Sequence, residues 1–521
     1  MQWRLDPGVS LTVLAGALSS RDHEEDFGCG LQGPSSRRVR MAAKPLVARI
    51  RRLGKERALR EAARLLEWIE STPRYAALCR SGKIAGRRRL REDVLFPAPG
   101  KERARVLHLR RGGAGLDVPV EARAWRDVAA LLTALTAGAT EFELAAFARS
   151  SATLDDLLGA LSDAEWLVPA TPAITLPPGD GRVLFVGHNM ALVAGARARV
   201  LVDPWFRPQH ETDLPGYRPL QPADLGPVDA IAITHSHGDH FHLGSLLPFG
   251  TETPIIVPDI ARESLLSSNL AQRLRSVGFR NVVALPWWKR HQVGDVEITA
   301  LPFFGEQPTT SAPVYDGLWN EGNTYALRTP SLSCAFLADS GRDVRGDMVA
   351  VAHRLKKSGP IDVLFTGIRG FRLHPLFFGF TTIDAFFVNV PAAELTTPQQ
   401  LMSDAGDALD VGAAMGARHV VPYADGGAPW YWREGMGPSY VGFPAVPGWK
   451  PAPSTPADDP DSDPFPERLR EERARRKSGP AALLLRPGDA FRLRPRGIEV
   501  TRMPGFAWPF DKRERRSQKK R

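Results

Sequence analysis

The residues of this chain best suited to chemistry lie in the stretch THSHGDH, from Thr234 to His240. It places His235, His237, Asp239 and His240 directly after the apolar run AIAI. Imidazole nitrogen and carboxylate oxygen are the ligand atoms that suit zinc or iron. With only 12 histidines in 521 residues, chance placement of three in this pattern is improbable. The stretch therefore predicts a metal site at the end of a buried strand.

The segment that must position this site runs from Gly181 to about residue 430. It consists of short apolar runs rich in Val and Ile, separated by turn residues. Such runs are typical of strands, many of them buried on both faces. We expect two packed sheets covered by helices on the outside. One helix should begin with Thr397 as its N-cap and Pro398 at its first position.

The pattern from His235 to His240 resembles the HxHxDH signature of the metallo-β-lactamase superfamily. The runs VLVDPWF, which contains Asp203, FLADSG, which contains Asp339, and GARHVVPYADGG resemble further landmarks of that family in the same order. The resemblance implies an α/β fold, a four-layer αββα sandwich. It also implies that His235 and His237 bind one metal, that Asp239 and His240 bind a second, and that Asp339 bridges the two.

Within the superfamily, the runs GHNMALV and DPWF look most like the ascorbate 6-phosphate lactonase group. That branch is similar to the N-acylethanolamine phospholipases and to the N-acetylneuraminate hydroxylases. The branch does not define a substrate, because one fold hosts many chemistries.

Two positions depart from the family pattern. Where the third histidine should follow VEITALPFF, the chain has Glu306, either a metal ligand or an exposed loop residue. Where the last histidine should lie, the chain has Ala424, and Asp425 is the candidate substitute. His242 and His374 are alternative ligands.

His188 and His419 are expected to support ligands rather than bind metal. We expect one or two divalent metal ions, zinc first. Iron or manganese are the alternatives, because a carboxylate in place of imidazole hardens the site.

The resemblance implies a hydrolase in which a metal-activated water attacks an ester, lactone, amide or phosphodiester, with Asp239 as a catalytic residue. One alternative is a di-iron hydroxylase, whose electrons would come from a partner, since the chain has no Rieske-type CxH pair. Another is a non-catalytic peptide-maturation factor. The candidates for substrate binding are Arg369, Arg372 and His374. Their run could bind a small or lipid-like molecule that carries an acidic group. The alternative is that the run only connects elements of the hydrophobic core.

The rest of the chain divides by composition. Three short helices and a strand in residues 117–170 resemble a winged helix and suit a peptide or protein partner. The acidic third helix argues against a nucleic-acid partner, because binding to nucleic acid depends on neutralising its phosphates. The predicted segments are 1–44, disordered or preceding a natural start at Met41 instead of Met1; 45–116, basic and helical; 117–170, winged-helix-like; 181–450, the metallo-β-lactamase fold; 451–480, a linker and charged helix; 481–510, a terminal hairpin turning at RPGD; and 511–521, a basic tail.

The overall composition is that of a folded protein, with 43% hydrophobic and 24% charged residues. Three dispersed cysteines predict no disulfide framework and favour the reducing cytoplasm. No run of about 18 apolar residues predicts a membrane span. The net charge of +10 includes a tail with seven basic and two acidic residues, and solvated helix faces are its simplest explanation.

Overall fold

The computed structural model describes residues 1–15, 34–98, 104–111, 113–171, 179–206, 220–381, 383–424, 467–495 and 497–502. The helices are α1 Pro34–Leu53, α2 Lys55–Arg60, α3 Ala62–Ser71, α4 Pro73–Ala76, α5 Glu92–Leu95, α6 Trp125–Ala137, α7 Glu141–Ser150, α8 Ala152–Asp163, α9 Leu243–Leu246, α10 Leu270–Ser276, α11 Met348–Lys356, α12 Ala405–Met415 and α13 Glu467–Arg475. No helix of the described residues combines the length and the apolar character that crossing a membrane requires.

The strands are β1 Gln2–Leu5, β2 Ser10–Ala15, β3 Cys79–Ile84, β4 Arg87–Leu90, β5 Ala104–Arg111, β6 Ala114–Pro119, β7 Ala139–Thr140, β8 Leu167–Pro169, β9 Arg182–Gly187, β10 Met190–Ala194, β11 Arg199–Val202, β12 Ala230–Ala232, β13 Ile255–Pro258, β14 Val282–Leu285, β15 Arg290–Val293, β16 Val296–Pro302, β17 Asn323–Arg328, β18 Ser333–Phe336, β19 Arg342–Asp343, β20 Gly346–Asp347, β21 Val363–Thr366, β22 Arg372–Leu373, β23 Gln399–Gln400, β24 His419–Pro422, β25 Ala481–Ala482, β26 Asp489–Arg494 and β27 Gly497–Arg502.

Two sheets form the centre of the molecule. The first has eight strands in the order β14-β13-β12-β11-β10-β9-β26-β27, and the second has seven in the order β15-β16-β17-β18-β21-β24-β25. Strands β11 to β14 are parallel, as are β18, β21, β24 and β25. Apolar side chains such as Val200 and Ala232 from the first sheet pack against Phe336 and Phe365 from the second. Strands covered on both faces explain the nearly continuous apolar runs of the sequence.

Helices cover both outer faces of the sheet pair. Apolar residues of α6, α8, α9 and α10 form one core with the outer face of the first sheet. Residues of α11 and α12, with Leu469 of α13, form another with the second sheet. The predicted four-layer αββα sandwich is thereby confirmed.

A further core joins the N-terminal helices to the site end of the sandwich. Helices α1, α3 and α5 share it with the 3-10 helical turns Pro375–Phe380 and Asp384–Asn389. The basic helical region is thus a cover on the sandwich. The predicted helical segment 45–116 is correct only up to Ala76, because hairpins β3–β4 and β5–β6 occupy most of its remainder.

The prediction that residues 1–44 are disordered is wrong for the described part of that segment, whereas a natural start at Met41 stays a prediction. Strand β1 lies between β7 and β8, and β2 pairs with β5. A Cβ on Gly244 would come within 1.9 Å of the Leu11 carbonyl oxygen, so β2 packs directly on α9. The three helices expected in 117–170 are present, and their sheet takes its central strand from the N-terminus. Their winged-helix assignment stays a prediction.

Two predicted elements near the C-terminus need correction. The turn RPGD does not close a hairpin, because β25 before it lies in the second sheet and β26 after it lies in the first. The hairpin is formed by β26 and β27 instead. The helix expected at Thr397 begins at Ala405, because Asp404 and Asp407 form its capping box. The predicted charged helix is present as α13, whereas residues 451–466 and the tail 511–521 lie outside the described part.

Candidate metal centre

The candidate ligands converge because four strands end at the same edge of the sandwich. Strand β12 leads into the loop of His235 to His240, and parallel β11 leads into Asp203. In the second sheet, β16 leads into Glu306 and β18 into Asp339. The carboxyl ends of these strands bring residues that are distant in sequence into one cluster.

One half of the cluster consists of His235, His237, Glu306 and Asp339, whose ligand atoms lie within 4.8 Å of one another. Glu306 Oε2 is 3.2 Å from His235 Nε2, and Glu306 Oε1 is 3.0 Å from His237 Nδ1. Glu306 is 2% exposed, so the exposed-loop alternative is wrong. The carboxylate occupies the place where the family pattern has its third histidine.

The other half consists of Asp239, His240 and Asp339. His240 Nε2 lies 3.2 Å from Asp339 Oδ2 and 3.7 Å from Asp239 Oδ2. Asp339 belongs to both halves, which is the position of a carboxylate that bridges two ions.

Buried hydrogen bonds set the orientation of the imidazoles. Asp203 Oδ2 accepts from Thr234 Oγ1 at 2.7 Å and lies 2.8 Å from His240 Nδ1. Asp203 Oδ1 accepts from the backbone nitrogen of Thr234 at 2.7 Å. A bond at Nδ1 leaves Nε2 of the same ring directed at the cluster, the arrangement usual for metal-bound histidines.

Asp239 is held by the turn between β9 and β10. His188 Nε2 is 3.0 Å from Asp239 Oδ2, and Asn189 Nδ2 donates to the Asp239 carbonyl at 2.6 Å. The His188 ring packs on Trp205, with ring centroids 4.8 Å apart. His188 therefore supports a ligand, as expected from the sequence.

Glu306 is placed by contacts from three directions. Asn320 Nδ2 donates to Glu306 Oε2 at 3.1 Å, and the Glu306 backbone nitrogen donates to the Leu401 carbonyl. Gly305 has a φ of +91°, and a Cβ there would lie 2.5 Å from the Gly341 nitrogen. Only glycine allows the Glu306 loop to approach the loop after Asp339 so closely.

Strained backbone concentrates around the cluster. Asp203, Glu306 and His188 have positive φ values, as do Ala338, which precedes Asp339, and Ala424. Such conformations cost of order 1–3 kcal/mol each and persist where the surroundings over-determine them. Their clustering is typical of a functional site.

Charges in the cluster are strongly coupled. Burial raises the pKa of Glu306, but His237 and His235 outweigh it and lower that pKa to about 2. Burial likewise opposes ionisation of Asp239, yet His240 and His188 bring its pKa below the usual range. Burial lowers the pKa of His235.

His240 has the opposite shift. Burial disfavours its charged form, but three neighbouring carboxylates raise the pKa of His240 well above the usual value; they belong to Asp239, Asp339 and Asp203. In the metal-free protein a proton on His240 thus balances part of the charge that a cation would neutralise.

The donor set fits a pair of metal ions. His235 Nε2 is a buried nitrogen that, among the described residues, has no hydrogen-bond partner, and it faces the Glu306 carboxylate. Three imidazoles and three carboxylates converge in the two ligand groups. Mixed nitrogen and oxygen ligands of this kind suit zinc, manganese or iron.

Other predicted site residues lie elsewhere. Asp425 is outside the described residues, and Ala424 instead donates its backbone nitrogen to the His188 carbonyl at 3.0 Å. His242 bonds Ser245 at 2.8 Å, and His374 packs on Phe377, so neither joins the ligand groups of the described chain. His419 lies at the start of β24, the end of the strand away from the site.

The predicted substrate arginines are engaged outside the ligand groups. Arg372 donates to Gln400 and to Asp404, at 3.0 and 2.9 Å. Arg369 lies over the ring of Phe371, 4.6 Å from its centroid. Their role in substrate binding stays a prediction.

Three residues that shape the site were not predicted from the sequence. Asn189 and Asn320 hold Asp239 and Glu306, and the ring of Phe386 covers His237 at 5.8 Å between centroids. Asn189 lies in the run GHNMALV beside His188, whereas Asn320 and Phe386 come from segments without a motif, and only proximity in the fold shows the role of each.

We expect Asp203→Asn to weaken metal binding by about 10- to 100-fold. The amide can no longer accept every bond that Asp203 accepts from Thr234 and His240, so the His240 ring loses its fixed orientation. Competition with a chromophoric chelator measures the affinity. Asp224→Asn is the control, since Asp224 is also fully buried but caps the 3-10 turn Pro222–Leu225. Equal losses in both variants would contradict a specific role for Asp203.

We also expect metal affinity to rise with pH. A metal ion that binds His240 Nε2 must displace the proton favoured by the raised pKa of that histidine. Below this pKa, the affinity should change by about tenfold per pH unit, and above it the affinity should level off. Calorimetric titration of the metal-free chain with Co²⁺ in buffers of different ionisation enthalpy counts the protons released. An affinity that is constant between about pH 5 and 8 would be inconsistent with a protonated His240.

Comparisons with known proteins agree with this geometry. Residues 198–423 match the model of the beta-lactamase superfamily domain. A 4-amino-L-phenylalanyl-[CmlP-peptidyl-carrier-protein] 3-hydroxylase of Streptomyces venezuelae is 30% identical over 142 residues, 27% of this chain and 25% of that protein. A UPF0173 metal-dependent hydrolase of Cupriavidus taiwanensis is 36% identical over 112 residues, 20% of this chain and 36% of that protein. The matched segments thus span well under half of either relative.

Among solved structures, CmlA, a diiron beta-hydroxylase from Streptomyces venezuelae, superimposes with a TM-score of 0.55 at 17% identity. The match covers 96% of this chain and 99% of that one, so the likeness of fold includes the N-terminal region. The predicted lactonase-like branch is not established by these matches. The domain match, the αββα sandwich and the metal-ligand cluster at its strand ends agree, and the chain contains a beta-lactamase superfamily domain over residues 198–423.

Proposed function

We propose that this chain is a di-iron oxygenase that hydroxylates a C–H bond of its substrate. The observation that carries the proposal is the carboxylate of Glu306 between His235 and His237, where the family pattern has a histidine. A carboxylate in that place makes the ligand set harder and moves its preference from zinc toward iron or manganese. Iron therefore takes precedence over the zinc expected first from the sequence.

In this proposal, His235, His237 and Glu306 would hold one ion, Asp239 and His240 would hold the other, and Asp339, which belongs to both groups, would be their shared ligand. Bound iron supplies the activation of O₂, which side chains alone cannot perform. Asp203 and Thr234 keep the histidine rings oriented, while Phe303 and Phe386 pack against His235 and His237 and limit the access of water. Hydroxylation consumes O₂, two electrons and two protons, and it releases water, so a reductase partner completes the reaction.

The likeness to known hydroxylases supports this choice. The solved structure of a diiron hydroxylase shares the fold along nearly the whole chain, and local sequence is shared with a hydroxylase whose name specifies an aminoacyl group held by a peptidyl carrier protein. We infer a substrate with an apolar body that a protein partner presents. The segment 117–170 remains our candidate for that contact, because α7 buries no residue fully and Phe142 is 78% exposed. We propose a cytoplasmic reaction, because the dispersed cysteines favour a reducing compartment.

A metal-dependent hydrolase is the second candidate. It is favoured by the local sequence match to the UPF0173 hydrolase and by Asp239, whose carboxylate is one-third exposed and held by His188. A bound metal would lower the pKa of a water molecule to near neutrality, and Asp239 would position that water.

Metal analysis and oxygen consumption together test the proposal. We expect two iron ions per chain, and we expect the chemically reduced iron-loaded protein to consume O₂ while the zinc-loaded protein does not. Cleavage of p-nitrophenyl acetate and bis(p-nitrophenyl) phosphate by both forms is measured in parallel. Iron-loaded protein that is inert to O₂, together with zinc-loaded protein that cleaves either ester, would overturn the oxygenase in favour of the hydrolase.

A further inference from the structure

We infer that Arg87 is a positioning residue, through which the N-terminal helical region fixes the cover of the metal centre. The cover is the 3-10 turn Asp384–Asn389, whose Phe386 packs on the ring of His237 and is 2% exposed. Arg87 begins strand β4, some 300 residues earlier in the chain, and is 1% exposed. The inference holds for oxygenation and for hydrolysis alike, since it concerns the metal-ligand cluster.

The guanidinium of Arg87 binds the turn directly. Its Nη1 donates to the carbonyl oxygens of Phe387 and Val390, both at 2.9 Å, and its Cζ lies 4.5 Å from the centroid of the Phe387 ring. Carbonyl groups at the end of a helical turn lack partners within the turn, and burying them unpaired is costly. One side chain thus satisfies two carbonyls and stacks on the ring of Phe387, which carries the first of them.

Arg87 is itself held by the helical region. Its Nε donates to Glu70 at 2.7 Å, and its Nη2 donates to Tyr75 at 3.3 Å. Because Glu70 is buried and carries the opposite charge, the pair has its charges compensated and its geometry constrained. Helix α1 adds a second link, an ion pair of 2.7 Å between Arg40 and Asp384.

The same turn also restrains Glu306. The side chain of Asn389 accepts from the Tyr315 nitrogen at 2.7 Å and donates to the Leu318 carbonyl at 2.6 Å. Two residues after Leu318, Asn320 donates to Glu306. The chain of contacts from Arg87 therefore reaches both His237, through Phe386, and Glu306, through Asn389 and Asn320.

Lysine cannot replace Arg87 in this role. Its ammonium is a single point with three donors, whereas the planar guanidinium reaches two carbonyls, a carboxylate and a hydroxyl while stacking on a ring. Arg87→Lys keeps the positive charge beside Glu70 but removes the planar set of donors that binds the turn. Arg88→Lys is the matched control, because Arg88 lies on the same strand and its guanidinium donates to the Glu70 carbonyl at 2.9 Å, not to the turn.

The test is titration of the full metal-free chain with Co²⁺, followed by its visible absorption. We expect Arg87→Lys to change the ligand-field bands and to weaken Co²⁺ binding by about tenfold, while Arg88→Lys stays close to wild type and both variants keep the wild-type circular dichroism. Unchanged bands and affinity in Arg87→Lys, or equal changes in Arg88→Lys, would overturn the inference. If Arg87→Lys fails to fold, Phe386→Leu provides the test. We expect Phe386→Leu to alter the ligand-field bands as well. Wild-type bands in that variant would show that the turn Asp384–Asn389 does not position the metal ligands.

Discussion

Replacing Asp339 by asparagine should empty the metal centre and abolish turnover. Asp339 is the residue common to both ligand groups, and its carboxylate lies 3.2 Å from His240 Nε2. An amide in its place removes one negative charge and offers one oxygen instead of two, so it cannot bridge. Loss of groups that merely support ligands lowers metal affinity by about 10- to 100-fold. We therefore expect loss of a bridging ligand to cost more, and bound metal to fall from two ions per chain to fewer than one.

Elemental analysis after dialysis measures this loss, and the rate of O₂ consumption or ester cleavage follows it. Asp362→Asn is the control, because Asp362 is a partly buried carboxylate at the other end of the same sheet, where it accepts from Ser333. We expect that variant to keep both ions. Two ions retained in Asp339→Asn would show that Asp339 is not a shared ligand.

The metal loop was predictable because its information is local. Four ligand candidates fall within six consecutive residues after an apolar run, and a strand end needs no distant partner to be recognised. Asp203 and Asp339 were predicted differently, from the resemblance of VLVDPWF and FLADSG to landmarks of the family. The alternation of apolar runs and turns also predicted the two sheets, since each strand is covered on both faces.

Long-range pairing limited the prediction at both ends of the chain. The run SLTVLA forms strand β2, but its partner β5 begins about 90 residues later, so no hairpin signal marks it. At the other end, RPGD has the composition of a hairpin turn, yet Leu483 and Leu485 pack into the core between the sheets and carry the chain across. In both cases tertiary packing overrides a local pattern.

The residues that support the metal ligands could not be predicted from the sequence for a related reason. Asn320 and Phe386 act on Glu306 and His237 from segments of loop and 3-10 turn, which have no periodicity to read. For Glu306 itself, the sequence left two alternatives open, a metal ligand or an exposed loop residue. Its burial depends on Gly305 and on the backbone contact with Leu401, neither of which a spacing argument contains.

Changing Glu306 to histidine should shift the metal preference of the centre from iron toward zinc. The variant restores the ligand type of the family pattern, and imidazole suits zinc at least as well as iron. Histidine also tolerates the backbone at this position, where φ is +47°, because it is one of the residues enriched in left-handed conformations. The variant loses the negative charge of Glu306, whose pKa is lowered to about 2 by the neighbouring His237 and His235. We expect the iron-to-zinc ratio of protein reconstituted from an equimolar mixture to fall by about tenfold, and oxygen consumption to fall with it.

Glu306→Gln separates charge from ligand type in this experiment. Glutamine has the shape of glutamate and can still bond Asn320, but it has neither the charge of a carboxylate nor the nitrogen of an imidazole. It should lose iron without gaining zinc, whereas Glu306→His should gain zinc and acquire ester cleavage. An unchanged iron-to-zinc ratio in Glu306→His would mean that Glu306 is not a ligand, and the argument for iron would fail with it. A gain of zinc without any ester cleavage would leave Glu306 as the determinant of the metal and show that the covered pocket, with Phe386 over His237, excludes the hydrolytic reaction by itself.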